Sequence, residues 1–167
     1  MAKITFLGKP LTTSGELPQV GSKVPDFSLV SGKLNDVTLA TYAEKRKILS
    51  IVPSLDTPTC AASTRIFNQK ANTYENTVVL VISADLPFAQ SRFCESEDLK
   101  NVIPLSTFRS NFAEDYGVNI LDTVLAGLMA RAIVIVDEKN NVAYTELVTE
   151  IADEPDYESA LEIIKNL

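Results

Sequence analysis

The chain has 167 residues, 46% apolar and 22% charged, which fits one globular domain with a core of ordinary size and excludes disordered and fibrous classes. Fifteen Lys and Arg against twenty-two Asp and Glu leave a net charge of −7, an argument against nucleic acid or an anionic membrane as partner. Histidine is absent and only two cysteines occur, so Ser-His-Asp and Cys-His catalysis are excluded and no four-ligand Cys/His metal site can form.

In chain order, residues 3–13 read as a small β-hairpin around Gly8, followed by a polar stretch and an extended run over 24–30. Residues 38–45 have room for a turn or two of helix. Residues 47–52 form a short apolar strand that Pro53 stops. In the string Pro53-Ser-Leu-Asp-Thr57-Pro58-Thr-Cys60, Thr57 is a good N-cap and Pro58 suits the first helical position. Cys60 would then lie in the first turn of a helix whose apolar positions are Cys60, Phe67, Ala71 and Tyr74. There the unpaired N–H groups and the helix dipole favour the reactive thiolate.

Residues 78–82 are a β-branched strand of the kind buried on both faces, and a helix over 87–98 carries Cys94. A shorter strand is expected over 102–105, then mixed structure over 107–128. Ala132–Val136 and residues 142–148 pair as a hairpin, and an amphipathic helix over 157–167 closes the chain. This order predicts an α/β sandwich: a thioredoxin-like fold with a central mixed sheet flanked by helices and an N-terminal hairpin extension, as one domain over 1–167. No apolar leader or membrane-length run is present, so the expected compartment is the cytoplasm, with no membrane partner.

Most free cysteines are small buried hydrophobes, but the strand-to-helix turn and the missing histidine reverse those odds for Cys60. Without histidine a cation must help its thiolate, the more so because the Asp56 carboxylate opposes ionisation. Arg131, just before the strand Ala132–Val136, is one candidate, though an isolated arginine at a strand edge is ordinarily a surface residue, and Arg65 and Arg92 are rivals. Thr57 can hold both the thiolate and a substrate through its hydroxyl, and Pro53 can shield the sulfur. Cys94 follows one helix and one strand after Cys60, so a disulfide is topologically open but requires Cα atoms within ~7 Å.

Together these residues resemble the peroxiredoxins, and within them the bacterial thiol peroxidases. Pro53-x-x-x-Thr57-x-x-Cys60 matches the general motif, and Ser83-Ala-Asp-Leu-Pro-Phe-Ala-Gln-Ser-Arg-Phe-Cys94 is similar to thiol peroxidases specifically. So are Leu125-Ala-Gly-Leu-Met-Ala-Arg131 and Glu154-Pro-Asp-Tyr157. The departures are minor: Thr123 and Asn140-Asn141 stand where glycines are common.

The resemblance implies a hydroperoxide reductase that needs no cofactor and no metal. Cys60 would be the peroxidatic and Cys94 the resolving cysteine, joined in an intramolecular Cys60–Cys94 disulfide that thioredoxin reduces. Thr57, Arg131 and Pro53 would shape the peroxide site. Hydrogen peroxide and alkyl or lipid hydroperoxides are the implied substrates and a homodimer the implied assembly. Three other readings stand beside this one. A thiol–disulfide oxidoreductase is weakened by the lack of a C-x-x-C pair. A redox sensor would share the first chemical step. A scaffold with two inert cysteines is the bland alternative.

Overall fold

The computed structural model describes residues 1–167. A hairpin of β1 (Lys3–Phe6) and β2 (Lys9–Thr12) stands apart from a seven-stranded mixed sheet. That sheet has the order β4-β3-β7-β6-β5-β8-β9. Its strands are β3 (Leu29–Ser31), β4 (Asp36–Val37), β5 (Arg46–Ile51), β6 (Thr77–Ser83), β7 (Ile103–Ser106), β8 (Ala132–Val136) and β9 (Val142–Leu147). The helices are α1 (Pro58–Ala71), α2 (Pro87–Ser96), the short α3 (Phe112–Asp115) and α4 (Tyr157–Asn166), with a 3-10 turn at Leu39–Tyr42. No helix is long and apolar enough to cross a membrane.

The central strands β5, β6 and β7 run parallel, linked by α1 and α2 as crossovers, while β8 and β9 add antiparallel to β5. Being covered on both faces, these strands carry nearly unbroken apolar runs. Their side chains alternate between two cores. Leu49, Ile51, Leu80, Ile82, Ala132 and Val134 pack on the face that also receives Ile4 and Leu11 from the hairpin. Ile48, Val79, Val81, Ile133 and Ile135 pack on the other face with Phe67 and Ala71 of α1 and Ala160 and Ile164 of α4. Cys60 belongs to this second core.

Two elements are shorter than the sequence pattern implies. The extended run over 24–30 pairs as a strand only from Leu29, because Phe27 turns inward onto Phe112 instead, with ring centroids 5.8 Å apart. The α2 helix ends at Ser96 rather than 98, where Asp98 takes a positive φ of 53°.

Candidate active site

Strand register brings the site together. In the antiparallel β5–β8 pair Ile51 lies opposite Ala132, so Val52 and Arg131 meet one step beyond the paired ends. Ala130 and Ala132 face the hairpin-side core, which turns Arg131 toward the α1 face. At the same end β5 leaves the sheet through Pro53, and the chain enters α1 with Thr57 as N-cap and Pro58 at its start. The first turn of α1 therefore opens onto Arg131.

The decisive contact is between two buried side chains. Arg131 Nη1 donates to Cys60 Sγ at 3.3 Å, with Cys60 fully buried and Arg131 2% exposed. Arg131 Nε donates to the Ile151 carbonyl at 3.0 Å, which fixes the plane of the guanidinium. The rivals go elsewhere. Arg65 is exposed and pairs with Glu97 at 2.7 Å, and Arg92 is an exposed residue of α2. Asp56 is also exposed, so its charge is spent largely on solvent.

Pro53 is buried in the loop ahead of the helix. Thr57 departs from the ordinary N-cap pattern: its hydroxyl accepts no helical N–H and instead donates to the Ser54 carbonyl at 3.0 Å. Donation through O–H leaves the oxygen lone pairs free to accept from an incoming group. Behind Cys60, its own carbonyl accepts from Thr64 Oγ1 at 2.8 Å and Ser63 Oγ at 3.1 Å.

Cys94 lies on α2 as a free, half-buried thiol, and Cys60 is free as well. Burial pushes the Cys94 thiol up to about 11. A cavity of about 390 Å³ separates the Cys60 loop from α2, lined by Leu55, Asp56, Asp85, Ala89, Arg92, Phe93 and Ser96.

Asp85 organises this region and was not singled out by reading the residues alone. Its carboxylate accepts from Ser54 Oγ at 2.7 Å, Leu55 N at 2.8 Å and Ser83 Oγ at 2.7 Å. It thereby ties the loop before Cys60 to the entrance of α2. Gln90 adds a second tie, donating to Ser83 Oγ and to the Leu105 carbonyl, both at 2.9 Å. The Ile151 carbonyl is likewise invisible to side-chain reading. Only the position of Asp85 within the string leading to Cys94 hinted at its importance.

A buried sulfur at a helix N-terminus, touched by a permanent cation, is arranged for nucleophilic chemistry. Known proteins agree with that chemistry. A family model described as Redoxin matches residues 19–161. The chain is 50% identical over 161 residues to a thiol peroxidase of Corynebacterium glutamicum, spanning 96% of this chain and 98% of that protein. It is 52% identical over 161 residues to a thiol peroxidase of Mycobacterium bovis, spanning 96% and 97% of the two. The crystal structure of a peroxiredoxin-like protein from Aquifex aeolicus matches with a TM-score of 0.94 at 38% identity, covering 99% of this chain and 97% of that one. The fold is thus the thioredoxin-like one of the peroxiredoxins, extended by the hairpin. The chain belongs to the Redoxin family and, within it, to the thiol peroxidases, and it is a peroxidase.

Proposed function

We propose that residues 1–167 act as a single domain that reduces hydroperoxides through Cys60, with Cys94 as resolving cysteine and thioredoxin as reductant. The observation that carries this reading is the 3.3 Å contact from Arg131 Nη1 to Cys60 Sγ. A fixed cation and the first turn of α1 both face this sulfur, in a chain that has no histidine to do so.

In the first step the Cys60 thiolate attacks the terminal oxygen of the hydroperoxide. The S–O bond forms as the O–O bond breaks, leaving Cys60 sulfenic acid and an alkoxide that takes a proton from water. Arg131 and the Thr57 hydroxyl position the peroxide, and the guanidinium offsets charge building on the departing oxygen. Pro53 keeps solvent off the sulfur. Cys94 then attacks the sulfenic sulfur, water leaves, and the Cys60–Cys94 disulfide forms. Two thioredoxin thiols return both cysteines to thiols by exchange.

Both sulfurs sit on helices in the reduced fold, so the first turn of α1 and the α2 helix unwind locally for them to meet. The apolar lining from Leu55, Ala89 and Phe93 suits alkyl or lipid hydroperoxides as well as hydrogen peroxide. We place the enzyme in the cytoplasm as a homodimer.

The test is a coupled assay with hydroperoxide, thioredoxin, its reductase and NADPH. Sustained NADPH oxidation that vanishes in Cys60→Ser supports the reading. A single stoichiometric burst without turnover would favour a sensor that hands its disulfide to another protein.

A further inference from the structure

The N-terminal hairpin is not part of the main sheet, yet it grips the segment that holds Arg131. Thr5 N donates to the Thr149 carbonyl at 2.7 Å, and Ile151 N donates to the Thr5 carbonyl at 2.9 Å. These bonds lay residues 149–151 along β1 as a parallel bridge. The next atom of that segment is the Ile151 carbonyl, which accepts from Arg131 Nε at 3.0 Å.

Glu150 bolts the junction. Its carboxylate accepts from Thr5 Oγ1 at 2.8 Å, Leu7 N at 3.0 Å, Gly8 N at 3.1 Å and Ala152 N at 3.2 Å. The Ala152 carbonyl in turn accepts from Thr59 Oγ1 at 2.9 Å, one residue before Cys60. Residues 149–152 therefore hold the arginine on one side and the first turn of α1 on the other.

We propose that Glu150 and the β1 edge it holds are positioning elements of the peroxidase site, setting the Arg131 guanidinium against Cys60 through the Ile151 carbonyl. This rests on the roles given above to Cys60 and Arg131. The guanidinium is a planar fork, so an Nε held on a fixed carbonyl dictates where Nη1 points. If the 149–152 segment drifts from β1, the carbonyl drifts too, and Nη1 leaves the sulfur. The rival role for the hairpin is purely structural, since Ile4 and Leu11 also cap one core.

Single-turnover oxidation by hydrogen peroxide, followed across pH in a Cys94→Ser background, separates the two. Variants Glu150→Ala, Glu150→Gln, Asp122→Ala and Arg131→Ala are compared, with the thermal midpoint of each recorded. Asp122 is the control: its Oδ1 accepts from Thr12 N at 3.0 Å on the far strand of the hairpin.

For Glu150→Ala we expect the peroxide rate to fall roughly 10-fold, short of the ~100-fold that a 1 Å misplacement can cost, with its pH profile moved to higher pH. Glu150→Gln keeps one acceptor oxygen and should recover part of the loss. Asp122→Ala should keep the wild-type rate and profile whatever its thermal midpoint.

Equal behaviour of Glu150→Ala and Asp122→Ala overturns the positioning role. Should Glu150→Ala not fold, a folded Glu150→Gln with wild-type rate and profile overturns it too. If Arg131→Ala slows the reaction while Glu150→Ala does not, this inference alone fails. If Arg131→Ala is also silent, the inference falls together with the role given to Arg131.

Discussion

The Asp85 carboxylate accepts a hydrogen bond from the backbone N–H of Leu55 at 2.8 Å, fastening the loop before Cys60 to the entrance of the Cys94 helix. In the proposed cycle, the two segments joined by this bond are the two that rearrange when the cysteines pair. Ser54 Oγ and Ser83 Oγ donate to the same carboxylate, so one side chain closes the clasp from three directions.

Asp85→Ala removes the acceptor of all three donors, and hydrogen bonds to a charged group are worth about 1.5–3 kcal/mol each; because Asp85 is only partly buried, water replaces part of them, and a net stability loss of about 2–3 kcal/mol is expected. The Ser54 carbonyl, which orients the Thr57 hydroxyl, loosens with it. Chemical denaturation and single-turnover oxidation check this together. Both stability and peroxide rate should fall, and unchanged stability would show that the clasp is incidental.

Cys94 should be a slow nucleophile until its helix opens. Burial raises its thiol from 9.0 to about 11, so at neutral pH the thiolate is scarce. In Cys60→Ser protein, alkylation of Cys94 by iodoacetamide is expected to be slow at pH 7 and to climb with a midpoint near 11. A midpoint near 9 would mean that the closed form does not bury this sulfur.

Hydrogen bonds from the Gly8 backbone N–H and the Thr5 hydroxyl lead the causes that hold Glu150 well below its ordinary 4.5, at about 2. A depressed carboxyl favours the folded hairpin junction above about 4.5 and loses that contribution as pH falls through about 2. An NMR titration of the Glu150 side chain should therefore show a midpoint near 2, with the Leu7 and Gly8 amides shifting alongside. A midpoint near 4.5 would sink this.

Two non-glycine residues in left-handed backbone should respond with opposite signs. Thr123 has φ 67° and Asn140 φ 62°. A β-branched residue there is strained by roughly 1–2 kcal/mol, and glycine returns part of this as unfolded-state entropy, so Thr123→Gly should stabilise by about 0.5 kcal/mol. Asn140 accepts from Nζ of the fully buried Lys47 at 2.9 Å. Asn140→Gly strips that partner and should destabilise by about 1–3 kcal/mol, because asparagine tolerates left-handed backbone and little strain is relieved. Thermal melts of both variants decide it; a shared sign would contradict the assignment.

Much of the site could be read from residue order because its chemistry is local. The apolar run ending at Pro53, the Thr57-Pro58 helix start and the Cys60 position each follow from neighbours in sequence. Arg131 needed one further step, the absence of histidine, and its choice over Arg65 and Arg92 needed the β5–β8 register. Asp85 and Ile151 were out of reach for a different reason. Their partners lie 30 and 20 residues away, and a backbone carbonyl such as that of Ile151 leaves no mark in a sequence. Thr57 stands at the N-cap as its sequence position implies, but its hydroxyl turns to the Ser54 carbonyl instead of a helical N–H, a choice that depends on the loop Asp85 holds.

In the proposed cycle Cys60 is oxidised first and Cys94 captures the product. Intact mass after one equivalent of hydrogen peroxide on the reduced protein reads that order of events. Wild type should lose two hydrogens as the Cys60–Cys94 disulfide forms. Cys94→Ser should instead gain one oxygen, mapped by peptide sequencing to Cys60. A Cys60→Ser protein that still consumed peroxide at the wild-type rate would contradict the claim outright.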